Sequence, residues 1–304
     1  MTIRFLRFLL EYAPRHRMRA PVHIIGASGR SGSTLSEALL ARGQPVVPIV
    51  RSPAKFLTTG IAVEPRKADL TDPPALRAAL ADATHIVSCA HARHAGAILA
   101  AAPADAQFVF LGSTRKFTQW PDDHGNGVLA GERAFLTSGR RGVMLHPTMI
   151  YGARGEDNVQ RLAQVLRKLP IVPLPHGGRA LVQPVYQGDV TAAIHAALDR
   201  TWTGPESLTI AGPAAVTYAD FVRAVARAAG LAPPRIVALP ARPLIAAAFV
   251  AQALPFLPRV GPAEIRRLLE DKAFDIEPAR ARLGFSPMPL TGGLARTFGN
   301  AHDR

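Results

Sequence analysis

The sequence predicts an α/β fold in which helices alternate with parallel strands of a doubly wound sheet, followed by a smaller C-terminal lobe. Three observations support it. A short apolar strand runs into a glycine-rich turn and a helix, and a second apolar strand follows at residues 46–50. Further short apolar strands recur between helical segments as far as Pro147. The chain has 304 residues, 48% of them hydrophobic, enough for one large domain or a domain with an appended lobe.

The glycine-rich turn has the spacing Gly-x-x-Gly-x-x-Gly and precedes a helix predicted over 33–42, which Gly43 ends. In such a turn one glycine permits the tight bend, one lets backbone N–H groups approach a pyrophosphate, and one lets the helix pack closely. The positive end of the helix then faces the phosphates. The alternative is an ordinary strand–turn–helix unit without a ligand. The turn residues predicted to bind a dinucleotide are Gly26, Ser28, Gly29, Arg30 and Gly32.

The end of the second strand predicts which dinucleotide binds. An acidic residue there would bind the ribose 2′-hydroxyl of NAD(H), but this strand ends in Arg51, with Lys55 close behind. A guanidinium suits a 2′-phosphate through charge-assisted, bidentate hydrogen bonds. The sequence therefore favours NADP(H) over NAD(H). For Arg30 and Lys55, solvated surface charge is an equal alternative.

The remaining elements of the core follow from apolar runs and capping residues. Asp72 and the two prolines after it predict the start of a helix that runs through Leu80. The predicted strands are Ala62–Val63, His85–Ala90, Phe108–Ser113 and Gly142–Pro147. Ligands of parallel sheets bind at the carboxyl ends of the strands, so the residues just after each strand surround one crevice. This adds Asp69, Leu70, Cys89, Ala90, Ser113 and Pro147 to the cofactor-binding prediction.

The C-terminal half is predicted to supply the lobe. Residues 21–150 are assigned to the core, with 181–200 returning to it, and 151–180 and 201–304 to the lobe. Asp189 is expected to cap a helix over 189–199, and Thr217 with Asp220 a helix through Ala229. The apolar run Leu244–Leu257 is too short to span a bilayer. It is interpreted as a buried helix, with a pocket cover or a membrane contact as alternatives.

Composition narrows the class of protein. The net charge is +14, but the basic residues are spread along the chain without interleaved aromatics, which argues against nucleic-acid binding. The single cysteine, Cys89, forms no internal disulfide and fits a cytoplasmic location, and no spacing predicts a metal site. Residues 1–20 form a basic tail, or, as an alternative, a segment that contacts a membrane or a protein complex. Nothing in the sequence indicates the oligomeric state or the substrate.

These motifs together resemble the short-chain dehydrogenase/reductase superfamily, in its extended or atypical branch. The resemblance covers residues 21 to about 298 and rests on GASGRSG, FVFLGST, MIYG, QPVYQGDV and FDIEPARARLGFSP. It implies a Rossmann core with a substrate lobe like that of epimerase/dehydratase relatives. It also implies that Ser113 or Thr114 lies near the nicotinamide, and that Asp69 and Leu70 lie near the adenine.

One departure from the family pattern bears on catalysis. Active members carry a Tyr-x-x-x-Lys pair, in which the tyrosine is the acid/base and the lysine lowers its pKa. Here the tyrosines at 12, 151, 186 and 218 are followed four residues later by His16, Gly155, Val190 and Val222. Counting back from Glu132 places the family lysine at Val128 and the tyrosine at His124. Ser113, His124 and Tyr151 are therefore the candidate catalytic residues.

Two functions remain open at this point. The first is an NADPH-dependent oxidoreductase or epimerase-like enzyme that works without the Tyr/Lys pair. The second is a non-catalytic NADP(H)-binding scaffold or redox sensor, similar to the nucleotide-binding accessory subunit of respiratory complex I. The C-terminal lobe favours the enzyme. The missing pair and the basic N-terminal segment favour the scaffold.

Overall fold

A seven-stranded parallel sheet forms the centre of the computed structural model, which describes residues 20–152, 158–251 and 262–299. Its strands, in chain order, are β1 (Val22–Ile25), β2 (Val46–Val50), β3 (Arg66–Lys67), β4 (His85–Ser88), β5 (Gln107–Leu111), β6 (Gly142–Pro147) and β7 (Pro205–Ile210). They lie in the order β3-β2-β1-β4-β5-β6-β7. The order reverses between β1 and β4, and the crevice outside their carboxyl ends is where such sheets bind ligands.

Helices cover both faces of the sheet and continue into the lobe. They are α1 (Arg30–Ala41), α2 (Pro53–Leu57), α3 (Pro73–Leu80), α4 (Ala95–Ala101), α5 (Asp123–Thr137), α6 (Asn158–Leu166), α7 (Gln187–Leu198), α8 (Tyr218–Ala228), α9 (Ala241–Ala251), α10 (Pro262–Arg267), α11 (Glu277–Leu283) and α12 (Leu290–Gly299). Single 3₁₀ turns lie at Ala92–His94, Thr114–Phe117 and His176–Gly178. No helix in the described part of the chain combines the length and the apolar character needed to cross a bilayer.

The core divides into two layers because successive strand residues point to opposite faces of the sheet. Ile24 packs with α1, α7 and α11 in one buried cluster. Ile25 packs with α3, α4 and α5 in the other. Burial on both faces explains why the central strands are continuous apolar runs rather than alternating ones.

The lobe has its own buried cluster, built from α6, α8 and α12. Three two-stranded pairs accompany it. They join Ile150–Tyr151 to Val185–Tyr186, Leu181–Val182 to Val216–Thr217, and Ile171–Pro175 to Arg235–Leu239. The first and third pairs are parallel and the second is antiparallel.

Several predicted elements are confirmed. The strands Val22–Ile25, Val46–Val50 and Gly142–Pro147 have the predicted bounds. The Asp72 carboxylate accepts a hydrogen bond from the Ala75 N–H at 3.1 Å and caps α3. The Thr217 hydroxyl likewise accepts from the Asp220 N–H at 3.1 Å and caps α8.

Other predictions were wrong. The third strand is Arg66–Lys67 rather than Ala62–Val63, because the Arg66 guanidinium forms a two-pronged ion pair with Asp82 beyond α3 and holds this polar segment at the sheet edge. Asp189 is not a helix cap, since α7 begins at Gln187, and the Asp189 carboxylate instead accepts the Met288 N–H at 2.9 Å.

The boundary between core and lobe also differs from the predicted division. Pro205–Ile210 was assigned to the lobe, but it pairs with β6 along its whole length as the seventh strand of the central sheet. Helix α11 packs in the core as well, through Ala279 and Leu283. Residues 1–19, most of the predicted basic tail, and the end of Leu244–Leu257 lie outside the described residues.

Candidate functional site

The glycine turn joins β1 to α1 at the carboxyl edge of the sheet. Gly26 has a φ of +77°, a conformation that favours glycine, and its Cα faces the chain leaving β4. A Cβ at Gly26 would lie 3.1 Å from the Ala90 nitrogen. A Cβ at Gly32 would collide with the Gly26 carbonyl oxygen. Both positions therefore require glycine for backbone approach, as predicted for the first and third residues of the motif.

The N-terminal end of α1 fits a phosphate group. Gly29 is its cap residue and has no side chain to accept a hydrogen bond from the first turn. The Gly29 N–H itself donates to the Gly26 carbonyl at 2.9 Å, which closes the turn. An uncapped helix start leaves backbone N–H groups for an anionic ligand, favoured further by the helix dipole. Ser28 is half-buried beside this end and Arg30 is exposed on it.

The residues after β2 and β3 form the next part of the crevice. Arg51 is exposed directly after β2, and Ser52 caps α2 by accepting the Lys55 N–H at 3.3 Å. The Thr71 N–H and hydroxyl donate to the Asp69 carboxylate at 2.9 and 2.7 Å. These hydrogen bonds, with a smaller contribution from the positive charge of Arg51, lower the pKa of Asp69. Arg51 and Asp69 therefore lie within electrostatic reach of each other.

The segment that leaves β4 closes the crevice beside the glycine turn. The Cys89 N–H donates to the Ile25 carbonyl at 2.9 Å, which continues the pairing of β1 with β4. Burial raises the pKa of the Cys89 thiol to about 12. The thiol is thus protonated at neutral pH and is not a nucleophile. Leu70, from the β3 side, packs partly against the same core cluster as Ala90.

Ser113 lies just beyond β5 and is held through its main chain. Its N–H donates to His146 Nδ1 at 3.2 Å, and its hydroxyl oxygen accepts the Arg115 N–H at 3.1 Å. The Thr114 hydroxyl donates to the carbonyl of Pro147, at the end of β6, at 3.4 Å. The ends of β5 and β6 are thereby tied together, and Ser113 stays half-exposed.

A buried network that sequence reasoning missed supports this end of the sheet. Glu132 on α5 accepts hydrogen bonds from Lys116 Nζ at 2.5 Å, the Ser207 hydroxyl at 2.5 Å and His146 Nε2 at 3.1 Å. His146 Nδ1 already accepts the Ser113 N–H, so the ring proton lies on Nε2 and is donated to Glu132. Glu132 belongs to no sequence motif that would predict this role.

The network also fixes the charge of Glu132. Burial opposes ionisation, but the hydrogen bonds from His146, Lys116 and Ser207 outweigh it and lower the pKa of Glu132 to about 2. Lys116 and Glu132 therefore form a largely buried ion pair, which is costly to break from one side. Its effect is to fix the backbone of Ser113 through the His146 ring.

A cavity of about 470 Å³ opens between this end of the sheet and the lobe. Ser113, Thr114 and Thr148 line it from the core. Polar, charged and aromatic side chains line it from the lobe: Gln183, Tyr218, Arg267, Glu270, Lys272 and Phe274. The buried Glu270 carboxylate accepts the Thr118 hydroxyl and the Gln119 N–H, both at 2.7 Å, and so joins the two walls.

Comparison with known proteins agrees with this geometry. Residues 26–126, which include the glycine turn, β2 to β5 and the start of α5, match the family model described as NAD(P)H-binding. No curated protein matches the chain.

Solved structures match nearly the whole chain. UDP-glucose 4-epimerase of Thermus thermophilus, solved with NAD, has a TM-score of 0.69 at 21% identity, over 93% of this chain and 99% of that one. UDP-glucuronic acid 4-epimerase of Bacillus cereus, solved with UDP-glucuronic acid and NAD, has the same TM-score and coverage at 17% identity. A short-chain dehydrogenase/reductase superfamily protein of Agrobacterium tumefaciens, solved with NAD, has a TM-score of 0.67 at 16% identity, over 93% and 97%. This chain has the fold of the extended short-chain dehydrogenase/reductases.

Within this short-chain dehydrogenase/reductase fold, α5 carries the two positions, 124 and 128, at which the resemblance predicts the Tyr/Lys pair. Val128, at the position counted for the lysine, is only 1% exposed and packs in the core with Ile98 and Phe135. A Cβ at Gly131, one turn further on, would collide with the Ala92 carbonyl oxygen, so α5 lies directly against the turn Ala92–His94. Val128 is therefore a packing residue.

His124, at the position counted for the tyrosine, is exposed on the first turn of α5. The His91 ring meets it edge-on with centroids 4.4 Å apart, and Arg93 donates to the Asp123 carbonyl at 3.1 Å. Burial and the charge of Arg115 lower the pKa of His124. The ring does not line the 470 Å³ cavity, so its predicted catalytic role stays a prediction.

Tyr151 lies in a different environment from the other two candidates. It is fully buried in the lobe cluster, and its hydroxyl donates to the Leu290 carbonyl at 3.4 Å. Burial, with the negative charge of Asp189, raises its pKa above the ordinary range. This placement corresponds to core packing, the alternative to substrate contact, and Tyr151 is absent from the cavity wall.

Proposed function

We propose that this protein is an NADP(H)-binding oxidoreductase or epimerase-like enzyme that acts without the Tyr/Lys pair. The observation that carries the proposal is the shared sheet edge. The glycine turn follows β1, and the 470 Å³ cavity reaches Ser113 beyond β5 at the same carboxyl edge. A nucleotide seated along that edge and a substrate in the cavity would meet near Ser113.

The backbone around Gly26, Gly29 and Gly32 fits the pyrophosphate, because Cβ atoms at the first and third positions would meet main-chain atoms and the second leaves α1 uncapped. Asp69 and Leu70 would lie beside the adenine. When bound, a nicotinamide nucleotide supplies or accepts a hydride. Arg51, exposed directly after β2, would bind the 2′-phosphate of NADP(H) through charge-assisted hydrogen bonds.

Ser113, which lines the cavity, would orient a substrate oxygen. Its hydroxyl oxygen accepts from Arg115, so its hydrogen can be donated to a ligand in the cavity. The His146 ring and Glu132 hold the Ser113 main chain in place. His124, whose pKa is lowered, would act as a proton acceptor if a substrate reached it.

A second candidate is a non-catalytic NADP(H)-binding scaffold. The observation that favours it is Val128, since the position counted for the catalytic lysine is filled by a buried aliphatic side chain. In that case the nucleotide would stabilise the core. The cavity would hold a binding partner, and no substrate would be converted there.

The test begins with fluorescence titration of NADPH and of NADH into the full chain. NADPH absorbance is then followed with quinones, aldehydes and ketones. An epimerase first oxidises the sugar and then returns the hydride, so it needs the oxidised cofactor and changes it by no net amount. UDP-glucose and UDP-glucuronic acid are therefore incubated with NADP⁺ and with NAD⁺, and the sugar products are separated by chromatography. NADPH binding with turnover in any arm supports the enzyme. Binding without turnover in all arms favours the scaffold, and failure to bind either nucleotide contradicts both.

A further inference from the structure

One surface of the lobe has an unexpected combination of side chains. The strands Ile171–Pro175 and Arg235–Leu239 pair in parallel, with Ile171 opposite Arg235, Pro173 opposite Val237 and Pro175 opposite Leu239. Alternate residues of a strand point to opposite faces, and paired residues share a face. These six residues therefore lie on one side of the strand pair.

The other side faces the lobe interior. Val172, Leu174 and Ile236 pack in the lobe cluster with α6 and α8. On the first side every residue except the buried Pro175 is exposed or half-exposed, and every residue except Arg235 is apolar. Ile171 is 51% exposed and Leu239 is 37% exposed, with Leu169 at 40% just before the strand. A solvated sheet face normally carries polar residues, so this surface is built to meet an apolar environment.

Cations flank these side chains along the chain. Arg167 and Lys168 precede Leu169, Arg235 lies within the pair, and Arg242 is the second residue of α9, shortly after the second strand; all four are exposed. None has a carboxylate partner among the residues that the structure describes. The sequences 158–188 and 221–263, which supply both strands and their flanks, contain no aspartate or glutamate. We call Leu169, Ile171, Leu239 and these four cations the basic apolar face.

We propose that the basic apolar face docks the protein on the surface of an anionic lipid bilayer. Lysine and arginine near an anionic membrane contribute attraction, while aliphatic side chains enter the boundary between headgroups and acyl chains. A nucleic acid would satisfy the charges but would leave Ile171 and Leu239 exposed, and no aromatic side chain on this face offers a base-stacking platform. A second copy of the chain would bring like charges together.

This inference does not depend on the proposed enzyme or scaffold function. No residue of the basic apolar face lines the 470 Å³ cavity or belongs to the glycine turn. It also differs from the membrane contact predicted for the N-terminal segment, because it uses folded residues of the lobe. Nucleotide titration and lipid binding can therefore succeed or fail separately.

The experiment is flotation of the full chain with two kinds of vesicle. One is phosphatidylcholine alone, which is neutral, and the other contains about one-third phosphatidylglycerol, which is anionic. We expect binding to the mixed vesicles and little to the neutral ones. Raising the salt from roughly 0.1 M to about 0.5 M should weaken binding, because the charges are screened. Equal binding to both vesicle types would overturn the proposal.

Two double variants test the two parts of the face. Arg235→Glu with Arg242→Glu should lower the apparent affinity at least tenfold, since each cation at a membrane surface contributes roughly fivefold. Ile171→Ser with Leu239→Ser should lower it at least fivefold without changing the salt dependence, through the lost apolar contact. The matched controls are Arg77→Glu with Arg133→Glu and Leu57→Ser with Leu136→Ser, which make the same changes at exposed positions of the Rossmann core.

Each result has a defined meaning. Thermal melts and NADPH titration verify that the variants fold, and the substituted positions are exposed. If both lobe variants bind mixed vesicles like the unaltered chain, another surface, such as the N-terminal segment, makes the contact and the proposal fails. If the serine variant binds lipid normally while single-stranded DNA displaces the vesicles, the face is a general polyanion site, and the proposal fails too.

Discussion

The glycine turn after β1 and the first half of α5 lie at the same edge of one sheet. The turn has the residues that the family motif predicts, whereas α5 does not. At the turn, Gly26 and Gly32 sit where any side chain would meet the backbone, and the motif agrees with the geometry residue by residue. On α5, the counted lysine position is the buried Val128, and the counted tyrosine position is an exposed histidine. Features for binding a nucleotide are present, while the usual acid/base pair is not.

The difference has a physical basis. Nucleotide binding in this fold depends on main-chain N–H groups and a helix end, which only glycine spacing and strand packing must preserve. Catalysis depends on particular side chains with matched pKa values. Around α5 the polar groups instead form the network of Lys116, Glu132 and His146, and His146 accepts a hydrogen bond from the Ser113 N–H. A chain of this fold can therefore keep its nucleotide-binding turn while the catalytic side chains on α5 are replaced.

The largest effect is expected at this network. Glu132→Gln removes the carboxylate that neutralises Lys116 and accepts from His146, leaving a buried ammonium without its counter-charge. We expect the free energy of unfolding at neutral pH to fall by about 3 kcal/mol, as when one member of a buried ion pair is removed. Urea unfolding monitored by circular dichroism measures the change. Glu277→Gln, which affects an exposed pair with Arg280, should change stability by less than about 1 kcal/mol.

The same variant has a defined pH dependence. The pKa of Glu132 is lowered to about 2 in the folded state. A lowered carboxyl pKa stabilises the fold above the unfolded value, near 4.3, and this contribution disappears as the pH falls towards 2. The stability difference between the two proteins should therefore shrink between about pH 4.3 and pH 2. A difference that stayed constant with pH would show that Glu132 acts through packing rather than charge.

The sequence predicts the parts of this region that depend on local pattern. Val22–Ile25 and Gly142–Pro147 are apolar runs bounded by turn residues, and the structure has them with those bounds. Arg66–Lys67 contains no apolar residue from which a strand could be predicted. A long-range ion pair between Arg66 and Asp82 holds this segment at the sheet edge instead. A wholly polar edge strand of two residues has no periodicity to detect.

The network around Glu132 could not be predicted for a related reason. Its members come from the turn after β5, from α5, from β6 and from β7, so no spacing in the chain connects them. Ser207 was assigned to the lobe, because the strand that carries it follows an excursion into that lobe. Contacts between elements distant in sequence require the strand order, which the apolar pattern alone does not determine.

On the nucleotide side of the comparison, the largest effect is expected at Arg51. Arg51→Ala should weaken the binding of NADPH by about 1.5–3 kcal/mol, the contribution of a hydrogen bond to a charged group. The binding of NADH should be nearly unchanged. Titration calorimetry with both cofactors makes the measurement. An equal loss for NADPH and NADH would contradict a 2′-phosphate contact and indicate that Arg51 supports the crevice through Asp69 instead.

A somewhat smaller effect on cofactor binding is expected from a substitution in the glycine turn itself. In Gly32→Ala the new Cβ would collide with the Gly26 carbonyl oxygen, so the turn and α1 must move apart. Overpacking of this kind costs about 1–3 kcal/mol of stability. Both cofactors should bind more weakly, in contrast with Arg51→Ala, because the pyrophosphate is common to them. Gly43→Ala is the control: no atom lies near its Cβ, although its positive φ carries a modest cost of its own. Its cofactor affinities should be unchanged.

The smallest effect is expected for Lys55→Ala, which tests whether the proposed preference for NADP(H) would depend on one cation or on two. Lys55 is exposed on α2, and its own N–H helps to cap that helix, so alanine preserves the backbone bond to Ser52. A solvated ammonium acting at a distance should contribute less than about 1 kcal/mol to NADPH affinity. That contribution should vanish when the salt is raised to roughly 0.5 M. If Lys55→Ala weakened NADPH as much as Arg51→Ala and did so at high salt, both cations would contact the phosphate directly. The nucleotide side of the crevice would then depend on side chains as much as the α5 side does.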